Sequence, residues 1–147
     1  MHCRDVKAIM KTYLILLIIA TVTFASCKKD KNKSQDGNPV GTWELRHVNG
    51  VQVPGAPSDF KPGNGEIVQI NQTNFKQISD GKVVNDYKYS IVKKETTVNF
   101  DKVSYQLVFD TDKPALSPYF KISDDGKLTL YFGSIAADGF ESTYVKQ

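Results

Sequence analysis

From residue 37 to the end, apolar and polar side chains alternate in short runs separated by Asx-Gly pairs. Period two belongs to a strand with one face buried, and no segment sustains a 3.6-residue period. Val103, Tyr105, Leu107 and Phe109 share one face with Ser104 and Gln106 opposite; Tyr87, Tyr89 and Ile91 oppose Asp86, Lys88 and Ser90; Leu128, Leu130 and Phe132 make a third stripe. Composition agrees. This stretch holds 12 Val, 6 Ile and 7 Thr against 5 Leu, 4 Ala and no Met. β-Branched residues fit a pleated surface and lose rotamer freedom in a helix. Asn49-Gly50, Asp80-Gly81, Asp125-Gly126 and Asp138-Gly139 supply the left-handed positions that tight hairpins need.

The alternation predicts strands near 40–48, 65–71, 74–79, 83–92, 96–100, 103–109, 119–123, 127–132 and 140–146. Ala115-Leu116 and Ile135-Ala136-Ala137 allow a single helical turn each. Sequential strands joined by tight turns suit a meander, which loses its exposed edges by closing on itself. The expected fold is all-β, an antiparallel up-and-down barrel of about eight strands, whose bore either is filled by side chains or holds one small ligand. Two connections exceed a hairpin: residues 54–64, with Pro54, Pro57 and Pro62, and residues 110–118, with Pro114 and Pro118. Surface loops of this kind cover sites or simply run through solvent.

The N-terminal part is built differently. Arg4, Lys7 and Lys11 precede an apolar run from Tyr13 to Phe24, followed by Ala25-Ser26-Cys27. This describes an export signal over 1–26, too short for a comfortable span. Met10-Lys11 with the apolar run is itself a complete short signal, so Met1 and Met10 are alternative starts. Residues 28–38 contain no hydrophobic side chain and read as a flexible tether, giving boundaries of 1–26, 27–39 and 40–147. The net charge of +3 resides in leader and tether, since residues 37–147 carry 12 basic and 13 acidic groups. No basic face for nucleic acid is present. Asn32-Lys33-Ser34 and Asn71-Gln72-Thr73 match the glycosylation pattern but are discounted because of the lipid-attachment motif at the end of the leader, described next.

Phe24-Ala25-Ser26-Cys27 resembles the lipobox of bacterial lipoproteins, with Phe24 where leucine is usual. The resemblance implies that Cys27 is acylated, by palmitate-type chains, and becomes the first residue. Two or more chains anchor stably where one does not. Gly41-Thr42-Trp43 at the start of the first strand resembles the Gly-x-Trp signature of lipocalins; with the lipobox, the polar tether and the segments 126–130 and 140–144, the chain looks like lipocalin-like lipoproteins of Gram-negative bacteria, the barrel likeness spanning most of residues 40–147. That likeness implies an outer-membrane, lipid-anchored protein facing the periplasm or the cell surface. It also implies a barrel closed by Gly41, Trp43 and Lys146, the last by cation–π contact, with the 54–64 loop as a lid. The helix that follows the barrel in typical lipocalins is not expected, because the sequence runs out with the last strand.

Catalytic chemistry is sparse. The body holds one His, His47, expected on the Trp43 face as a satisfied barrel histidine, and Cys27 has no disulfide partner there. Asp110-Thr111-Asp112 and Asp124-Asp125 read as turn formers, without EF-hand spacing. Glu44 and Glu66 could face one another on neighbouring strands, the arrangement a glycosidase needs. Gly63-x-Gly65 precedes a strand and is no phosphate loop. Tyr87, Tyr89, Tyr105, Tyr144, Phe109 and Phe132 are the candidate ligand-binding residues, because aromatic walls with phenol tips suit a small amphipathic ligand. They also suit a plain packed core, the reading favoured of the two. The sequence thus implies no enzyme, cofactor or metal. It leaves two readings: a barrel binding a small hydrophobic or amphipathic ligand, and a module docking on an envelope protein through exposed aromatics such as Phe60 and Tyr119.

Overall fold

A computed structural model describes residues 37–112 and 117–147. The leader, Cys27, most of the tether and the Ala115-Leu116 turn lie outside the described residues. Eight strands follow in order: β1 Gly41–Asn49, β2 Ile67–Ile70, β3 Asn74–Ser79, β4 Lys82–Val98, β5 Asp101–Phe109, β6 Tyr119–Ile122, β7 Leu128–Phe132 and β8 Phe140–Lys146. A turn of 3-10 helix, Ile135–Ala137, precedes β8. Every strand pairs antiparallel with its sequence neighbours, and β8 pairs with β1. The sheet is a closed up-and-down barrel.

Runs 83–92 and 96–100, expected as two strands, form the single strand β4. The polar run Lys93-Lys94-Glu95 that interrupts the alternation is an irregularity in the pairing with β5, where the register skips from Lys93↔Tyr105 to Thr96↔Val103. A bulge absorbs the extra residue without ending the strand. A second bulge falls in β1 between Leu45 and His47. Asp80 and Gly81, at φ 48° and 75°, turn β3 into β4 as the sequence indicates. The β4–β5 turn adopts similar angles at Asn99 and Phe100, φ 48° and 72°. Asn tolerates that region; a bulky Phe there is strained.

Two apolar layers result. Trp43, Leu45, Val68, Ile70, Phe75, Leu107, Phe109, Phe120, Leu128, Leu130 and Tyr144 form one cluster inside the barrel. Leu107, Leu128 and Leu130 are fully buried, each worth roughly 1.5–3 kcal/mol against exposure. Val103 and Tyr131 are as buried as these yet fall outside that cluster. Tyr131 neighbours inward-facing Leu130 on β7, so its ring is on the outer wall. It is covered because β5 pairs with β6 only at Tyr105↔Phe120 and Gln106↔Tyr119. Beyond that seam the β4–β5 ribbon crosses the outside of the barrel. Asp101 receives Lys121 Nζ at 2.7 Å and the Tyr131 hydroxyl at 3.0 Å. Asn99 accepts the Ile135 amide at 2.9 Å and donates to Glu141 at 3.2 Å.

Candidate functional site

At the end where β1 starts and β8 finishes, the Trp43 indole donates to the Pro39 carbonyl at 2.8 Å. Lys146 Nζ stands 5.4 Å from the Trp43 ring centroid. The Lys146 stem passes so close to Gly41 that a Cβ there would meet Cε at 2.8 Å. A Cβ on Gly37 would likewise meet Tyr105 Cζ at 2.8 Å. The indole is buried among these groups.

Towards the other end the bore keeps a cavity of about 300 Å³, at the small end of ligand-site volumes. Its walls come from β1, β2, β3, β7 and β8. Leu45, Val68, Phe75, Phe132 and Tyr144 supply apolar surface, and Glu66, Gln77 and Ser142 supply polar points. Alternation places them: Val68 faces inward, so Glu66, two residues earlier, does too. The Ser79 hydroxyl donates to Glu66 Oε1 at 2.5 Å. Asn85 Nδ2 donates to Gln77 Oε1 at 2.9 Å and receives the Tyr87 hydroxyl on its own oxygen at 2.8 Å. Burial pushes the Tyr144 phenol up to about 12, with a further push from the charge of Glu66. The hydroxyl therefore stays neutral across the physiological range.

The six candidate aromatics are divided among different places. Phe132 and Tyr144 line the cavity. Tyr87 and Phe109 stack at 5.0 Å, and Phe109 leans on Phe75 at 4.9 Å, as packed core. Tyr105 stacks on Phe120 at 5.7 Å and borders a separate cleft. The Tyr89 hydroxyl donates to the Asn71 carbonyl at 2.6 Å, beside the β2–β3 turn. Glu66, Gln77 and Ser142 were not expected at the site. Their parity with Val68, Phe75 and Tyr144 was readable; which length of the bore stays unfilled was not.

The separate cleft, about 450 Å³, lies where β5 parts from β6 and includes Lys93, Glu95, Lys102, Lys121 and Asp124. Lys93 pairs with Glu95 at 3.5 Å and Lys121 with Asp101 at 2.7 Å. Its lining is more polar than apolar and open to solvent. The bore cavity, smaller but walled by apolar groups, is the better ligand site.

Three expectations need correction. The β1 bulge turns His47 to the outer face, away from Trp43, where Nδ1 meets Asp59 at 2.8 Å with both side chains well exposed. Glu44 and Glu66 lie on opposite sides of the wall and cannot flank a bond. Glu44 points outward, pairs with Arg46 at 2.5 Å and accepts the Gly63 and Asn64 amides at 2.6 and 3.1 Å. The Arg46 hydrogen bond holds its carboxyl below the usual range, and the contact pins the 54–64 loop to β1. Phe60 and Tyr119 are not an exposed pair: Phe60 packs against the core, and Tyr119 is half-buried beneath Lys94, 5.5 Å from the ring centroid. The turn-forming aspartates behave locally, Asp125 bonding Ser123 and Lys127. Among the described residues no group of three or more His, Cys, Asp or Glu side chains is placed to hold a metal ion. Among them, too, no helix is long and apolar enough to cross a membrane.

Comparison with protein-family models, with curated proteins and with solved structures returns no match.

Proposed function

We propose that this chain is a lipoprotein anchored to the outer membrane through Cys27, and that its barrel binds a small hydrophobic or amphipathic molecule in the bore. The observation that carries the binding half is the cavity walled by Leu45, Val68, Phe75, Phe132 and Tyr144. Its walls are mainly apolar with a few convergent polar groups, the lining a small amphipathic ligand needs. The anchoring half rests on the lipobox-like Phe24-Ala25-Ser26-Cys27 and the polar tether. The lipocalin likeness adds the Gly-x-Trp geometry, in which Gly41 clears the path of the Lys146 stem over Trp43.

Native mass spectrometry of the full chain with Cys27→Ser, purified without detergent, tests the binding half. Added mass from a co-purified small molecule, lost on denaturation, supports it; a protein that neither carries nor takes up any apolar compound contradicts it. Globomycin-sensitive processing and radiolabelled palmitate incorporation, abolished by Cys27→Ser, test the anchor.

A second reading is favoured by one observation. Phe100 is fully exposed on a strained tip that Asn99 fixes to the β7–β8 segment. Aromatic side chains, Phe included, are enriched in protein interfaces, so the alternative is a subunit or inhibitor of an envelope assembly. Crosslinking from position 100 in intact cells tests it: one reproducible protein adduct supports it, and none contradicts it.

A further inference from the structure

Glu66 is the charged group of the bore, and its surroundings are unlike those of the ion-paired carboxylates. Glu44, Asp59, Asp86, Glu95, Asp101 and Asp125 each have a basic partner within 4 Å: Arg46, His47, Lys76, Lys93, Lys121 and Lys127. Glu66 has none among the described residues. Ser79 occupies Oε1 at 2.5 Å, and no described group bonds Oε2. Among the described residues the cavity it borders contains no Lys, Arg or His; its other polar side chains there are Gln77, Ser142 and Tyr144. An unpaired carboxylate at the edge of an apolar cavity favours a ligand that brings a positive charge to it.

Resting on the bore as the ligand site, we propose that its ligand is an apolar amine, with the ammonium on Glu66 and the hydrocarbon body against Leu45, Val68, Phe75 and Tyr144. An ammonium supplies both the missing charge and donors for the open carboxylate oxygen, a charge-assisted contact about twice as strong as a neutral one. A carboxylate-headed ligand such as a fatty acid meets repulsion from Glu66 and finds no cation. An alcohol of equal length sits between them. The volume admits a short chain or one substituted ring, not a long lipid.

The test is calorimetric titration of the full chain carrying Cys27→Ser with octylamine, 1-octanol and octanoate at pH 7. The expected result is octylamine binding about tenfold or more tighter than octanoate, with the alcohol between. Glu66→Gln should weaken octylamine about tenfold, leave 1-octanol within about threefold, and so bring the series together. Unchanged alcohol binding also shows that the variant folds. Octanoate binding as tightly as octylamine, or octylamine indifferent to Glu66→Gln, overturns the amine assignment and leaves the bore standing as a site. Failure of all three probes overturns both.

Discussion

Lys146 lays its stem across Gly41 and brings its ammonium to 5.4 Å from the Trp43 ring centroid. Both ends of the contact follow from the sheet, because Trp43 and Lys146 are direct partners in the β1–β8 ladder. Gly41-x-Trp43 is therefore a steric device: the glycine leaves room for the lysine stem, and the lysine caps the indole. Gly41→Ala makes the lysine stem swing away from the indole, since the methyl would lie 2.8 Å from Cε, and forces a side chain onto a backbone at φ 155°; it should cost on the order of 1–3 kcal/mol. Lys146→Met keeps the stem and loses only the charge, and should cost about 1 kcal/mol or less. Urea unfolding of the three proteins checks the order.

Tyr144 links the bore to alkaline stability. Its folded pKa is raised to about 12 by burial first and the Glu66 charge second, against about 10 unfolded. A raised pKa contributes stability that is complete below the unfolded value and lost as pH rises through the folded one. From pH 10 to 12 the wild type should therefore lose about 2 kcal/mol that Tyr144→Phe does not lose. Tyr131, also raised by burial and Asp101, titrates in both proteins and cancels in the difference. Denaturation at pH 9 and pH 12 gives the comparison.

The ribbon of β4 and β5 over the outer wall is held by Asp101, which joins Lys121 and Tyr131. Asp101→Asn weakens the charged contact while preserving the shape. Amide hydrogen exchange should rise at 96–103 and in β7, and stay unchanged at Leu45, Val68 and Tyr144 on the bore side. Lys121 and then Tyr131 hold the Asp101 carboxyl below its usual range. Its contribution is thus present above pH about 4 and lost as acid protonates it. Wild-type exchange at 96–103 should approach that of the variant as the pH falls below that range.

The barrel was legible because Leu107, Leu128 and Leu130 must turn inward together with alternate neighbours, and period two states this without ambiguity. The Asp80-Gly81 hairpin was equally plain. What stayed hidden depends on bulges and seams. One extra residue between Leu45 and His47 reverses the face of everything after it, so His47 was expected on the wrong side. The Asn99-Phe100 turn carries no sequence signal, because Phe is no turn former; the side-chain bonds of Asn99 hold the tip in place. Tyr105, Phe109 and Phe132 share period two in their own strands, yet shear and the short β5–β6 seam send them to a cleft, the core and the cavity. Local alternation says which face a side chain takes, not how far along the bore it sits.

The measurement closest to the central claim is a ¹⁵N and methyl NMR titration of the full chain carrying Cys27→Ser with 1-octanol, a probe without charge. Binding in the bore predicts saturable shifts concentrated at Leu45, Val68, Phe75, Ser142 and Tyr144, with Tyr105 and Lys121 still. Shifts confined to the β5–β6 cleft, scattered over the outer surface, or absent would contradict it.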